Sequence, residues 1–303
     1  MNKSALGLVY LFTATAVFAQ TSGDIFHQDV SWSPDGKYIA FCGMHDFNRQ
    51  ANTFKADIYV MRSDGSDLKM VSNEAKNEFY TSWAKGRIAF GADVPGTKNS
   101  DIYTADPDGA NVKQITSDSK KNSTPAFSRD GRKIAFVSTR DAEKYQIYVM
   151  NSDGSNVMRL TNDEKVGFFN PQWSPDGKRI VYYAEKGDRK DQVWVMNSDG
   201  SGQMLVTANI GHNIFPGWSP DGRRIIFSSS NREATTSGSF VDGSFLYLMN
   251  ADGSGLAKLG NIQSFFARFS PDGKKIAYVS GKFPATAIYV ANADGTAAVK
   301  ITK

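Results

Sequence analysis

The sequence predicts an all-β chain, a six-bladed β-propeller of four-stranded antiparallel blades, on three observations. A pentapeptide Trp-Ser-Pro-Asp-Gly stands at Trp32–Gly36, Trp173–Gly177 and Trp218–Gly222. It recurs slightly altered at Phe127–Gly131 and Phe269–Gly273, and shortened at Trp83–Gly86. A second signature of the type Ile-Tyr-Val-Met-Asn-Ser-Asp-Gly-Ser follows each copy, beginning at Ile58, Ile102, Ile147, Val193, Leu246 and Ile288. The glycines of that second signature fall at 65, 109, 154, 200, 253 and 295, spacings of 44, 45, 46, 53 and 42 residues. Self-similarity at this period is the mark of a four-stranded blade.

At the N-terminus, Lys3 precedes an apolar run from Ala5 to Ala19, and Val17 and Ala19 place small residues where a signal peptidase reads. The run is shorter than the ~20 residues a spanning helix needs. The expectation is a signal peptide over residues 1–19 cleaved before Gln20, a mature propeller over 20–303, no membrane-spanning segment, and a periplasmic or secreted location. The lone cysteine, Cys42, rules out an internal disulfide and lies in the apolar stretch Ile39–Cys42, where a small buried strand residue is expected.

Within each unit, β-branched and aromatic runs are bounded by Pro-Asp-Gly or Ser-Asp-Gly, so the runs read as strands and the boundaries as turns. Asp-Gly supplies the positive φ of a tight hairpin. The fourth unit shows the pattern: strand A at Asn170–Trp173, strand B at Arg179–Ala184, strand C at Gln192–Asn197 and strand D at Gln203–Thr207. The six blades fall near residues 27–73, 78–118, 122–163, 169–209, 214–261 and 266–303. A ring is preferred to an open stack because closure buries the two end sheets against each other.

The paired signatures resemble the TolB-like, or PD40, propeller repeat, and the resemblance runs over residues 27–303. It implies a binding or scaffold module working in the cell envelope. TolB itself carries an additional α/β domain, for which this chain leaves no room. The units run in phase, from strand A at Val30–Ser33 to strand D at Ala298–Thr302, without the strand exchange by which TolB closes its ring. The Asp24–Gln28 segment is expected to brace the seam.

With strand A innermost, the A–B and C–D turns share one face and the B–C and D–A connections the other. The turn face is repetitive, and its Asx residues suit turns rather than calcium loops. The opposite face varies, which is where function sits on a rigid scaffold. The longest B–C loops are Gly43–Ala56 and Ser228–Ser244. The residues entering strand A ring the channel mouth and form the candidate binding set: His27, Asp29, Glu78, Tyr80, Asn122, Phe169, Asn170, His212, Asn213, Phe215, Phe266 and Arg268. Aromatics mixed with convergent polar groups suit a protein or glycan ligand.

A formal charge of +4 with dispersed Lys and Arg argues against nucleic acid. There is no Gly-X-Ser-X-Gly elbow, Gly-rich phosphate loop or His-X-X-X-His pair. Neither a catalytic residue, a metal ligand nor a cofactor is expected. One rival reading stands: oligogalacturonate lyases have similar propellers and hold a metal on histidines, and His27, His45 and His212 all fall on the variable face. A metal-dependent, polysaccharide lyase-like enzyme at the channel mouth is therefore the alternative to a non-catalytic binding propeller.

Overall fold

The computed structural model describes residues 25–302 apart from 49–52, 73–75, 186–190, 208–210, 231–242 and 283–284. The predicted signal peptide and the Asn231–Glu233 portion of the fifth B–C loop lie outside these residues. The described chain is all-β, with six antiparallel sheets arranged as the blades of one propeller. Blade four runs from the inner strand Gly167–Trp173 through Arg179–Glu185 and Gln192–Asn197 to the outer Met204–Leu205, neighbours pairing in chain order.

The turn chemistry repeats closely. In the first turn Ser174 Oγ donates to Asp176 Oδ1 at 2.6 Å and accepts from Arg179 N at 2.9 Å, while Lys178 N donates to the same carboxylate. Ser33, Ser128, Ser219 and Ser270 make the same contacts with Asp35, Asp130, Asp221 and Asp272. These bonds favour the carboxylate form and hold all five aspartates below the ordinary range. The second turn has another role. A Cβ built on Gly109 would stand 2.4 Å from Val71 O of the preceding blade, and one on Gly154 2.7 Å from Ile115 O. Glycine there admits a neighbouring backbone.

Ring closure reuses the interior contacts. Trp173 Nε1 donates to Ala126 O of blade three and Trp218 Nε1 to Gln172 O of blade four, both at 3.1 Å. Trp32 Nε1 of blade one donates to Arg268 O of blade six at the same distance. Gly65 meets Ile301 O as Gly109 meets Val71 O. The inner strands touch their neighbours all the way round, with Phe266–Phe269 against Ser31–Trp32 at the seam.

The expected brace is present. The inner strand of blade one is split into Phe26–His27 and Ser31–Trp32, both paired with Tyr38–Asn48. Across the seam His27 N donates to Thr286 Oγ1 at 2.6 Å, and His27 Nδ1 lies 2.8 Å from Thr286 O. A carbonyl only accepts, so Nδ1 carries the proton. Phe26 stacks on Phe265 at 5.9 Å, and each of these two buried rings contributes about 1.5–3 kcal/mol through burial.

Candidate functional site at the channel mouth

Strands A of blades two to five share an irregularity. Their register slips between Phe79 and Ser82, Ser123 and Ala126, Phe169 and Gln172, and Ile214 and Gly217. One residue in each bulge is left-handed: Tyr80 (φ 56°), Thr124 (47°), Asn170 (51°) and Phe215 (53°). Non-glycine residues rarely hold this conformation, and bulges re-aim side chains beside sites. Proline follows in three of the four, at 125, 171 and 216. It fits where the ladder asks for no N–H.

The bulges assemble an aromatic collar. Tyr145 meets Phe169 edge-on at 5.5 Å, Phe169 stacks on Tyr183 at 5.3 Å, and Tyr183 meets Phe215 at 5.7 Å. Phe215 contacts Phe265 and Phe266, and Phe265 contacts Phe26. Phe79 and Tyr80 join Tyr145 and Phe169 around a cavity of ≈ 30 Å³, about the share of one water molecule. Asp93, Ser100, Ser123 and Thr124 supply its polar wall, and Thr124 Oγ1 is buried with no hydrogen-bond partner. Tyr80, Tyr145, Phe169, Tyr183 and Phe215 are half-buried, whereas Phe26, Phe79, Phe265 and Phe266 are buried.

Beneath the collar the channel is crossed by polar groups. Arg268 of blade six donates through Nη1 to Phe215 O at 3.2 Å and Ala267 O at 2.9 Å, and through Nη2 to Asn170 Oδ1 at 3.0 Å. Its guanidinium also lies 4.1 Å from the Phe266 ring centroid. Room for it comes from Gly217, where a Cβ would stand 3.1 Å from Nη1. Burial lowers the Arg268 pKa to about 9, against the pull of Asp29. Asp29 accepts from Thr81 N, Thr81 Oγ1 and Cys42 N, and burial pushes its pKa up despite those bonds. These contacts tie five blades together: four, five and six through Arg268, one and two through Asp29.

Tyr80, Phe169, Asn170, Phe215, Phe266, Arg268 and Asp29 are thus brought together around the axis. The other predicted residues serve strand ends. His27 lies in the seam, and burial lowers its pKa to about 4. Glu78 accepts from Ser72 Oγ at 2.5 Å. Asn122 donates to Asp101 and Asp118 and accepts from Arg140 Nη2. Asn213 donates to Gly211 O and Asp191 O. His212 Nδ1 lies 3.0 Å from Asp191, and His45 Nε2 lies 2.8 Å from Asp57. Each histidine has its own partner. Among the described residues no three His, Cys, Asp or Glu side chains are placed to hold a metal ion.

Sequence reasoning missed Tyr145, Tyr183 and Glu185. Tyr183 is cross-strand from Phe169 and follows the core residue Tyr182, so strand alternation alone sends it to the other face. Burial raises the Glu185 carboxyl, with Asp191 adding to it, and holds Tyr183 well above its ordinary value. The mouth therefore presents aromatic faces edged by Glu185, whose carboxyl takes up a proton more readily than an exposed one.

A closed ring whose one face is a repeated set of self-satisfied turns, and whose other face gathers half-buried aromatics, defines a binding-scaffold propeller. The TolB beta propeller domain family, PD40, matches residues 30–259 and 141–303, and the chain belongs to that family. Among solved structures it is similar to TolB from Acinetobacter baumannii, with a TM-score of 0.65 and 20% identity over 93% of this chain. It spans 64% of that protein's length. A putative TolB from Agrobacterium tumefaciens gives 0.66 and 22% over 82% of this chain and 87% of its own. An oligogalacturonate lyase from Vibrio parahaemolyticus gives 0.56 and 14%, over 90% of this chain and 92% of the lyase. No curated protein matches the sequence.

Proposed function

We infer that this chain is an exported, non-catalytic scaffold that docks a protein partner of the cell envelope, or a glycan, through its channel mouth. The observation that carries this reading is the collar of half-buried aromatics on the one face where the blades differ. Aromatic side chains offer large contact area at little entropic cost, and concave apolar sites with a few polar groups suit recognition. The waist below is occupied by Arg268 and Asn170, so a ligand rests on the mouth rather than threading the ring. Export rests on the Ala5–Ala19 run and the Val17-Phe18-Ala19 site.

Two measurements test the reading. N-terminal sequencing of protein recovered from the exported fraction should begin at Gln20, and an N-terminus still at Met1 there would contradict export with cleavage. The metal content of purified protein should not rise towards one ion per chain. About one bound manganese or zinc per chain, lost in a His212→Ala variant together with activity on acidic polysaccharides, would favour the lyase-like alternative.

A further inference from the structure

Blade five departs from the others at its outer edge. In blades two, three, four and six a threonine closing strand D accepts a strand C amide: Thr116 from Ile102 N, Thr161 from Ile147 N, Thr207 from Val193 N and Thr302 from Ile288 N. Blade five has Gly260 after Leu259, at φ 56°. Its outer strand continues as Ala257–Gln263, slipping register to pair Gln263 with Phe245, whereas the other described outer strands are two residues long. Between this extension and blade six lies a groove of ≈ 570 Å³, lined by Phe245, Tyr278, Tyr289, Asn261, Gln263 and Ser280.

The lining is organised. Lys258 Nζ sits 3.4 Å from the Phe245 ring centroid and donates to Asn261 Oδ1 at 3.1 Å, fixing one wall. The other wall is the stacked pair Tyr278–Tyr289, rings 5.4 Å apart and 13° from parallel, with Tyr278 buried and Tyr289 half-buried. The equivalent pairs in blades two and three are covered by the chain's own cations: Lys76 lies 4.5 Å from the Tyr103 ring centroid, and Arg140 5.1 Å and 5.0 Å from those of Phe136 and Tyr148. Among the described residues no cation covers Tyr278 or Tyr289, nor the equivalent pairs Phe41–Tyr59 and Phe227–Tyr247 of blades one and five.

We propose that this groove binds a neutral sugar unit of a glycan. A pyranose ring presents an apolar face that packs on an aromatic ring and hydroxyls that exchange hydrogen bonds with amides and hydroxyls. Tyr289 and Phe245 supply the former, and Asn261, Gln263 and Ser280 the latter. No lining side chain carries a charge that would pair with an ionic ligand. Lys258 and Lys300, the latter paired across from Tyr289, flank the groove and repel a cation. Binding there does not depend on the mouth binding anything.

The test is titration of the purified protein with chitotetraose, maltotetraose and tetralysine, followed by amide chemical-shift mapping. At least one of the two neutral tetrasaccharides should bind saturably in the millimolar range, with shifts centred on Gln263 and Tyr289. Tyr289→Ala should weaken that binding about tenfold or more. Gln263→Ala, at an exposed position that cannot unfold the blade, should weaken it several-fold. Failure of both sugars to shift these amides, shifts centred on the channel mouth, or occupation of the groove by tetralysine would each overturn the proposal.

Discussion

The two Asp-Gly turns of a blade carry the same dipeptide and sit on the same face, yet their glycines answer to different demands. Gly177 in the first turn of blade four has φ 69° and no atom within 4 Å of the position a Cβ would take. Gly65, Gly109 and Gly154 in second turns have φ between 87° and 95° and a carbonyl oxygen of the preceding blade 2.1–2.7 Å from that position. The first glycine is demanded by its own hairpin, the second by its neighbour. Local turn chemistry and ring assembly are written in one sequence signal, and only packing separates them.

Alanine substitution sharpens that difference. Gly65→Ala and Gly109→Ala combine left-handed strain with a clash against backbone, and each should cost about 3 kcal/mol or more in denaturant unfolding. Equal costs at the two positions would show that the closing seam, where Gly65 meets Ile301, is as tight as an interior one. A Gly65 cost near zero would break the claim of a closed ring.

Acid should act next most strongly, and at the seam. His27 titrates near 4 in the folded chain and at its ordinary 6.5 when unfolded, because burial outweighs its bond to Thr286. The unfolded state therefore binds more protons between those values. Stability is whole above pH 6.5 and falls as pH drops towards 4, by at most about 3 kcal/mol. His27→Gln should flatten that slope, as read from melting midpoints across the pH range. An unchanged slope in the variant would place the acid sensitivity elsewhere.

Smaller effects belong to the first turn. Gly177→Ala brings strain without a clash and should cost about 1–2 kcal/mol, clearly less than Gly109→Ala. Ser174→Ala removes two hydrogen bonds and should cost about 1 kcal/mol. In that variant the Asp176 carboxyl should titrate at higher pH than in the parent. The stability its depressed pKa confers exists above the ordinary carboxylate range and is lost as pH falls through the folded value. Side-chain carboxyl shifts in an NMR titration report this directly, and no upward movement for Asp176 would discount the serine's role.

Much of the ring was legible because its signals are local. Turn dipeptides, apolar triplets and their period need no knowledge of the neighbouring blade, and the seam brace was readable from the segment left over before the first strand A. The mouth was legible in part. Tyr80, Asn170, Phe215 and Arg268 were found because they precede or lie in strand A, whereas Tyr145 and Tyr183 come from a loop end and a strand B. Their meeting with Phe169 depends on the bulge that turns strand A, and nothing in Phe-Phe-Asn-Pro announces a left-handed Asn170. The histidines grouped by topology each took a partner of their own, Thr286, Asp57 and Asp191, because a shared face does not decide which groups a side chain meets.

The central claim is that ligands bind at the channel mouth and not at the turn face. A photo-crosslinking amino acid placed one site at a time at exposed positions tests it: Lys144 and Lys165 at the mouth, Lys178 and Asp153 on the turn face. With illumination in the exported compartment, the account predicts a discrete adduct from the mouth positions, weakened when Phe169→Ala and Tyr145→Ala are combined in a chain that still melts cooperatively. A discrete adduct from Lys178 or Asp153, with none from Lys144 or Lys165, would contradict it.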